Sequence, residues 1–193
     1  MTKDYKAAYR YARSFFVMMK KKGKVSETHE ELRRVLGFAQ THPEFNRLLL
    51  VTTISSNEKE ELIDHILSHS GQSAIEQDIA SLETRNFIKL LVKKKRYNLF
   101  EKIVESLHEL FNIDLGIEEV TVVSPYPISG DFERQLKQVL EKKLERKVVL
   151  STKLDASLLG GIVLYTRDQV VDGSLKEKLR GLKQTLISSG KEA

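Results

Sequence analysis

Few residues in this chain are placed to do chemistry, and their spacing says what they can do. His65 and His69 lie at i and i+4, the spacing of a helical metal-binding pair. No Glu-x-x-His arrangement and no third ligand accompanies them, so they read as two polar residues opposite Ile63 and Ile66. Gly160-Gly161 is not a phosphate loop, because neither Gly-x-Gly-x-x-Gly nor Gly-Lys-Ser/Thr occurs anywhere. No Gly-x-Ser-x-Gly elbow frames a nucleophile. Zero cysteine excludes disulfides, thiolate metal sites and a cysteine nucleophile, and suits a reducing compartment. The residues point to no catalytic group, no metal and no cofactor.

Charge offers a second chemistry, phosphate binding. The net charge is +5 and the isoelectric point about 9.2. Lys20-Lys21-Lys22-Gly23-Lys24 and Lys93-Lys94-Lys95-Arg96 are basic runs, so the alternative to weigh is a basic nucleic-acid-binding helical module. Up to Asn112 there are 19 Lys and Arg against 15 Asp and Glu, and beyond it 13 against 12, so acids interleave throughout. Both runs fall at expected helix C-termini, where cations complement the helix dipole. Neither carries the aromatic platform of a single-strand binder. The balance favours a solvated surface with no nucleic-acid partner.

The elements that must position these residues follow from periodicity. With 40% apolar and 31% charged residues, the composition is that of a helix-rich globular protein. No window reaches the roughly 18–20 apolar residues of a membrane span. Met1 to Tyr5 lack an apolar signal core, so neither export nor a transit peptide is expected. Over residues 4–22, Tyr5, Ala8, Tyr9, Ala12, Phe15, Phe16 and Met19 form one broad helical stripe. Ala7, Tyr11, Ser14 and Met18 form a weaker second one. Thr28 and Glu31 have capping-box spacing for a second helix, and Pro43 suits the first turn of a third. Ser55 and Glu58 form a capping box for a fourth, which Gly71 should end. A fifth is expected from about Ser73 to Lys94, with Ile75, Ile79, Leu82, Asn86 and Leu90 on one line and Phe87 and Leu91 beside it. A sixth, from about Tyr97, carries Phe100, Ile103, Val104, Leu107, Leu110 and Phe111.

After Asn112 the period shortens from 3.6 to 2. Glu119 to Val123 and Lys147 to Leu150 read as strands, with a helix carrying Phe132, Leu136, Val139, Leu140 and Leu144 between them. The stretch from Leu158 to Leu186 reads as strand, turn at Asp168, strand and final helix. Asp172-Gly173-Ser174 offer a side-chain cap, and Leu175, Leu179, Leu182 and Leu186 an apolar stripe to bury. The fold class is α+β in two domains: a six-helix bundle over 1–112, then a small α/β domain over 113–193 with a short sheet and two helices.

Three segments carry a family resemblance. They are Tyr11-Ala12-Arg13-Ser14-Phe15-Phe16, then Arg85 to Leu91 with Arg96-Tyr97, and last Glu145 to Val148 through Asp155, Gly160-Gly161 and Asp172-Gly173-Ser174. On these residues the chain resembles the delta subunits of F-type ATP synthase, the bacterial counterparts of the mitochondrial oligomycin-sensitivity-conferring protein. The resemblance implies a non-catalytic connector in the peripheral stalk, serving ATP synthesis coupled to proton transport. It implies that the helical domain binds the N-terminal helix of an alpha subunit through the first and fifth helices, with Tyr11, Phe15, Asn86 and Leu90 as anchors. It implies that the C-terminal domain, marked by Gly160, Gly161, Asp172, Gly173 and Ser174, holds a b-type stalk subunit. The location implied is the cytoplasmic face of the bacterial cell membrane, touched only through the stalk. The family usually places Gly where this chain has Arg167. If that turn needs φ > 0, the substitution costs about 1 kcal/mol.

Overall fold

The computed structural model describes residues 3–68 and 79–180. By contact the chain divides into two compact units, Met1–Phe111 and Asn112–Ala193. The first holds α1 (Lys3–Lys22), α2 (Val25–Thr41), α3 (Pro43–Leu50), α4 (Ser56–Ser68), α5 (Leu82–Lys93), a 3-10 turn (Tyr97–Leu99) and α6 (Phe100–Leu115), whose last turn crosses the sequence boundary. The broad stripe of α1 is the buried one: Ala8, Ala12, Phe15, Phe16 and Met19 join Leu32, Val35, Ile63, Leu67, Ile88, Leu91 and Ile103 in one continuous core. No helix among the described residues is long and apolar enough to cross a membrane.

Helix ends were only partly where the sequence put them. Pro43 occupies the first turn of α3 as expected. The Ser55 box forms fully, with the Ser55 N–H and hydroxyl both donating to Glu58 and the Glu58 N–H donating back to Ser55 Oγ. The Thr28 box does not form. Gly23, at φ +69, ends α1, and α2 starts at Val25, because only Gly23 and Lys24 join the two helices. Thr28 therefore lies inside α2 and donates back to the Lys24 carbonyl at 2.7 Å. Glu31 is buried and serves a different helix, accepting from the Ser81 N–H at 3.1 Å, the Ser81 hydroxyl at 2.7 Å and the Thr84 hydroxyl.

That contact explains the second correction. α5 begins at Leu82 and not near Ser73, because Ser81 is its N-cap and spends its own N–H on Glu31. Ile79 and Ala80 are bends before it, while Ser73 to Asp78, Gly71 and His69 lie outside the described residues.

The second unit is a four-stranded sheet in the order β2-β1-β3-β4, from β1 (Ile117–Ser124), β2 (Lys147–Leu154), β3 (Val163–Tyr165) and β4 (Val170–Asp172). β1 and β2 are parallel, joined through α7 (Gly130–Leu144), and the other pairs are antiparallel. Val120, Leu140 and Val148 form its buried cluster, with Leu136, Leu144, Leu150 and Leu164 packed around them. Phe132 and Val139, read as part of the inner stripe of α7, are exposed. So are Leu175 and Leu179, at 48% and 60%, on the helical segment 175–180. The expectation that this stripe is buried fails for both of them, since among the described residues nothing covers them. Leu182 and Leu186 lie outside the described residues.

Candidate partner interface

The site is a pair of helix flanks on either side of a ring stack. Phe15 of α1 and Phe87 of α5 lie with centroids 4.0 Å apart and planes at 15°. Lys22, at the end of α1, and Lys24, in the link that follows it, reach Glu83 in the first turn of α5 at 3.2 and 3.3 Å. Contacts that pair the end of one helix with the start of the other set α1 and α5 antiparallel. The Glu83 carboxyl is held down to about 2 from an ordinary 4.5, first by its own backbone N–H at the helix start and then by the two lysines.

The four expected anchors separate here. Phe15 is 2% exposed and belongs to the core. Its ring, stacked on Phe87, is the floor between the helices, whereas an anchor was expected to face the partner. Tyr11 is half-buried and packs against the core edge. Asn86 and Leu90 are exposed, Leu90 at 43%. The reason lies in the turn count: Phe15 and Phe87 each sit at the border of the buried stripe, and Tyr11 and Leu90 one step further round. Met18 and Leu82, at 46% and 58% exposure, extend the same flanks. Both belonged to stripes visible in the sequence, yet neither stood out as an anchor, because periodicity does not say which stripe meets solvent. Burying the exposed parts of Met18, Leu82 and Leu90 would contribute on the order of 1 kcal/mol each.

The C-terminal motif is brought together as one knot. Gly161 has φ +82, and a Cβ there would sit 2.4 Å from the Gly173 carbonyl oxygen. A Cβ on Gly160 would meet Leu175 Cδ1 at 2.7 Å. The Gly173 N–H donates to Ile162 O and the Leu175 N–H to Gly160 O, both at 2.9 Å. Asp172 accepts from the Ser174 N–H at 2.9 Å, and its carboxyl pKa is lowered first by the Ser174 side chain and then by this N–H. Buried Ser174 in turn accepts from Glu177 N–H and starts the segment 175–180. The motif thus locks the hairpin base to the helix start, with glycine required where two backbones touch.

Arg167 also finds a reason. It is not among the residues with positive φ, so the feared turn strain is absent. Its N–H and guanidinium both donate to Glu118, a buried carboxylate that also takes Arg146 Nη1 at 3.0 Å. Nothing in the sequence signals that cluster, since its members lie on three separate elements. His65 is exposed on α4.

Known proteins match this arrangement along its length. The family model described as ATP synthase delta (OSCP) subunit matches residues 7–186. The ATP synthase subunit delta of Lactobacillus gasseri is 31% identical over 183 residues, 94% of this chain and 95% of that one. The subunit of the same name from Caldanaerobacter subterraneus is 29% identical over 175 residues, 91% and 93% of the two chains. A chain in the cryo-EM structure of the Toxoplasma gondii mitochondrial ATP synthase hexamer shares the fold with a TM-score of 0.66 at 19% identity, covering 97% of this chain and 98% of that one.

Proposed function

The chain belongs to the ATP synthase delta (OSCP) subunit family, a peripheral-stalk component and not the catalytic subunit, and from that premise we propose how its two parts make the connection. Residues 1–112 act as a six-helix bundle that takes the N-terminal helix of an alpha subunit along the α1–α5 flanks. An amphipathic helix laid there covers Met18, Leu82 and Leu90, while Tyr11 and Asn86 supply a polar edge and the Phe15–Phe87 stack stays rigid beneath. Residues 113–193 hold a b-type stalk subunit, which covers Leu175 and Leu179. The connector then resists rotor torque from the cytoplasmic face of a bacterial membrane, reaching the bilayer only through the stalk.

The observation that carries this reading is the run of half-exposed apolar side chains on both sides of one buried aromatic stack. The rival nucleic-acid reading loses ground in the same place, because Lys22 and Lys24 are already paired with Glu83. The test is calorimetric titration of the full chain with the N-terminal peptide of its own alpha subunit at low and high salt. Tight one-to-one binding that survives salt and weakens in Leu90→Ala supports helix docking. Absence of peptide binding, with salt-sensitive binding to nucleic acid instead, would promote the basic module.

A further inference from the structure

A second site is present where the loop after α3, the start of α4 and the end of α5 meet. The cavity there has a volume of about 470 Å³, within the usual range for small-molecule sites. Three cations line it, Lys59, Lys95 and Arg96, together with the hydroxyl residues Thr52, Ser55 and Ser56, and no acid is among its lining residues.

Lys59 is the informative one. Its side chain comes from α4 and the residue is only 9% exposed, an uncommon place for an ammonium group. Two of its three protons go to the Leu49 and Val51 carbonyls at the end of α3, which fix the group in place. Among the described residues no carboxylate is within ion-pair distance of Lys59, Lys95 or Arg96. The nearby Glu58 carboxylate is occupied by the Ser55 N–H and hydroxyl. Lys59 is thus a buried charge held only by neutral carbonyls, whereas Lys95 and Arg96 are exposed; an anion in the cavity offsets the cost at Lys59.

The end of α5 supplies the second argument. Arg96 N–H bonds Leu91 O at 2.7 Å and Lys95 N–H bonds Val92 O at 2.9 Å, the double bond pattern of a Schellman end. Lys95 holds the left-handed position of that motif, φ +55, where glycine is the unstrained choice. The chain keeps a cation there, and its side chain lines the cavity. Leu49, Leu50 and Ile54 give the same cavity an apolar wall.

From this geometry we infer that the cavity binds a phosphate group, free or carried by a small molecule such as a nucleotide. Lys59 and Arg96 hold the oxyanion, Ser56 donates from its hydroxyl, and the body of a larger ligand lies on the apolar wall. This site is separate from the α1–α5 flanks, so it stands or falls independently of alpha-helix docking.

The experiment follows amide shifts of the full chain during titration with inorganic phosphate and, separately, with ATP, in low-chloride buffer. Saturable shifts at Lys59, Lys95, Arg96 and Asn98 are expected, at least tenfold weaker in the Lys95→Gly/Arg96→Gln double variant. The matched Lys93→Gln/Lys94→Gln variant removes two charges outside the cavity and is expected to change affinity less than twofold. Equal affinity for both probes identifies free phosphate as the ligand, and tighter ATP binding identifies a phosphorylated small molecule. Shifts that do not saturate, or that weaken equally in the two double variants, overturn the site. Lys59→Met is expected to abolish binding. If that variant fails to fold, the Lys95/Arg96 result decides alone.

Discussion

Residues 1–111 and 112–193 solve burial in opposite ways. In the first unit the helices turn their apolar stripes toward each other, and one core runs from Ala8 to Leu107. In the second, α7 covers one face of a four-stranded sheet around Val120, Leu140 and Val148, while Leu154, Leu159, Leu175 and Leu179 stay exposed. A helix has one stripe to hide, whereas a sheet has two faces and needs a layer for each. The comparison teaches that exposure means different things in the two units. On α1 and α5 it is a narrow flank beside a finished core, and on the sheet unit it is apolar surface that the described residues do not cover.

Mutations can break or sharpen that contrast. The largest effect is expected from Phe15→Ala, which removes half of the Phe15–Phe87 stack and should cost about 3–5 kcal/mol in urea unfolding. A loss below about 1 kcal/mol would return Phe15 to the surface. Gly161→Ala comes next, at about 2–4 kcal/mol, since it combines positive φ with a backbone collision. Residue-resolved hydrogen exchange should show protection lost at Val122 and Val163 but kept at Ile88 and Leu91. Loss in both units together would show that they do not unfold separately.

Smaller effects test the surfaces. Leu90→Ala should leave stability within about 0.5 kcal/mol and weaken alpha-peptide binding about tenfold by titration calorimetry. Leu179→Ser should likewise change the melting of the free chain little, and weaken only capture of a b-type stalk peptide. The smallest expected effect is on acid stability. Because the folded Glu83 carboxyl is held near 2, below the ordinary 4.5, its contribution is complete above about pH 4.5 and fades as pH falls toward 2. The difference in melting temperature between the parent and Glu83→Gln should shrink over that window. A constant difference would mean that the carboxyl is not held below its ordinary value in solution.

Much of the architecture was legible beforehand. The α1 stripe, Pro43, the Ser55–Glu58 box, the β1 and β2 segments and the hairpin after Gly161 are all legible by local rules, and each is present. The start of α5 was not legible, because Ile75, Ile79 and Leu82 continue a helical period that Ser81 and Glu31 interrupt from outside. At the candidate site, Asn86 and Leu90 emerged on the exposed flank, whereas Phe15 did not. The Glu118–Arg146–Arg167 cluster and the Lys59 cavity gave no sequence signal at all, since each gathers residues from three places along the chain.

The sequence alone determined the change of period after Asn112, the turns and caps that neighbouring residues can make for themselves, and the family. These depend on contacts a few residues apart, which the order of side chains already contains. Only the tertiary structure decided which flank of α1 meets solvent, which helix Glu31 serves and why Arg167 suits its turn. Periodicity places a side chain about its own helix axis. Burial depends on what packs against that axis, and that is settled by partners tens of residues away.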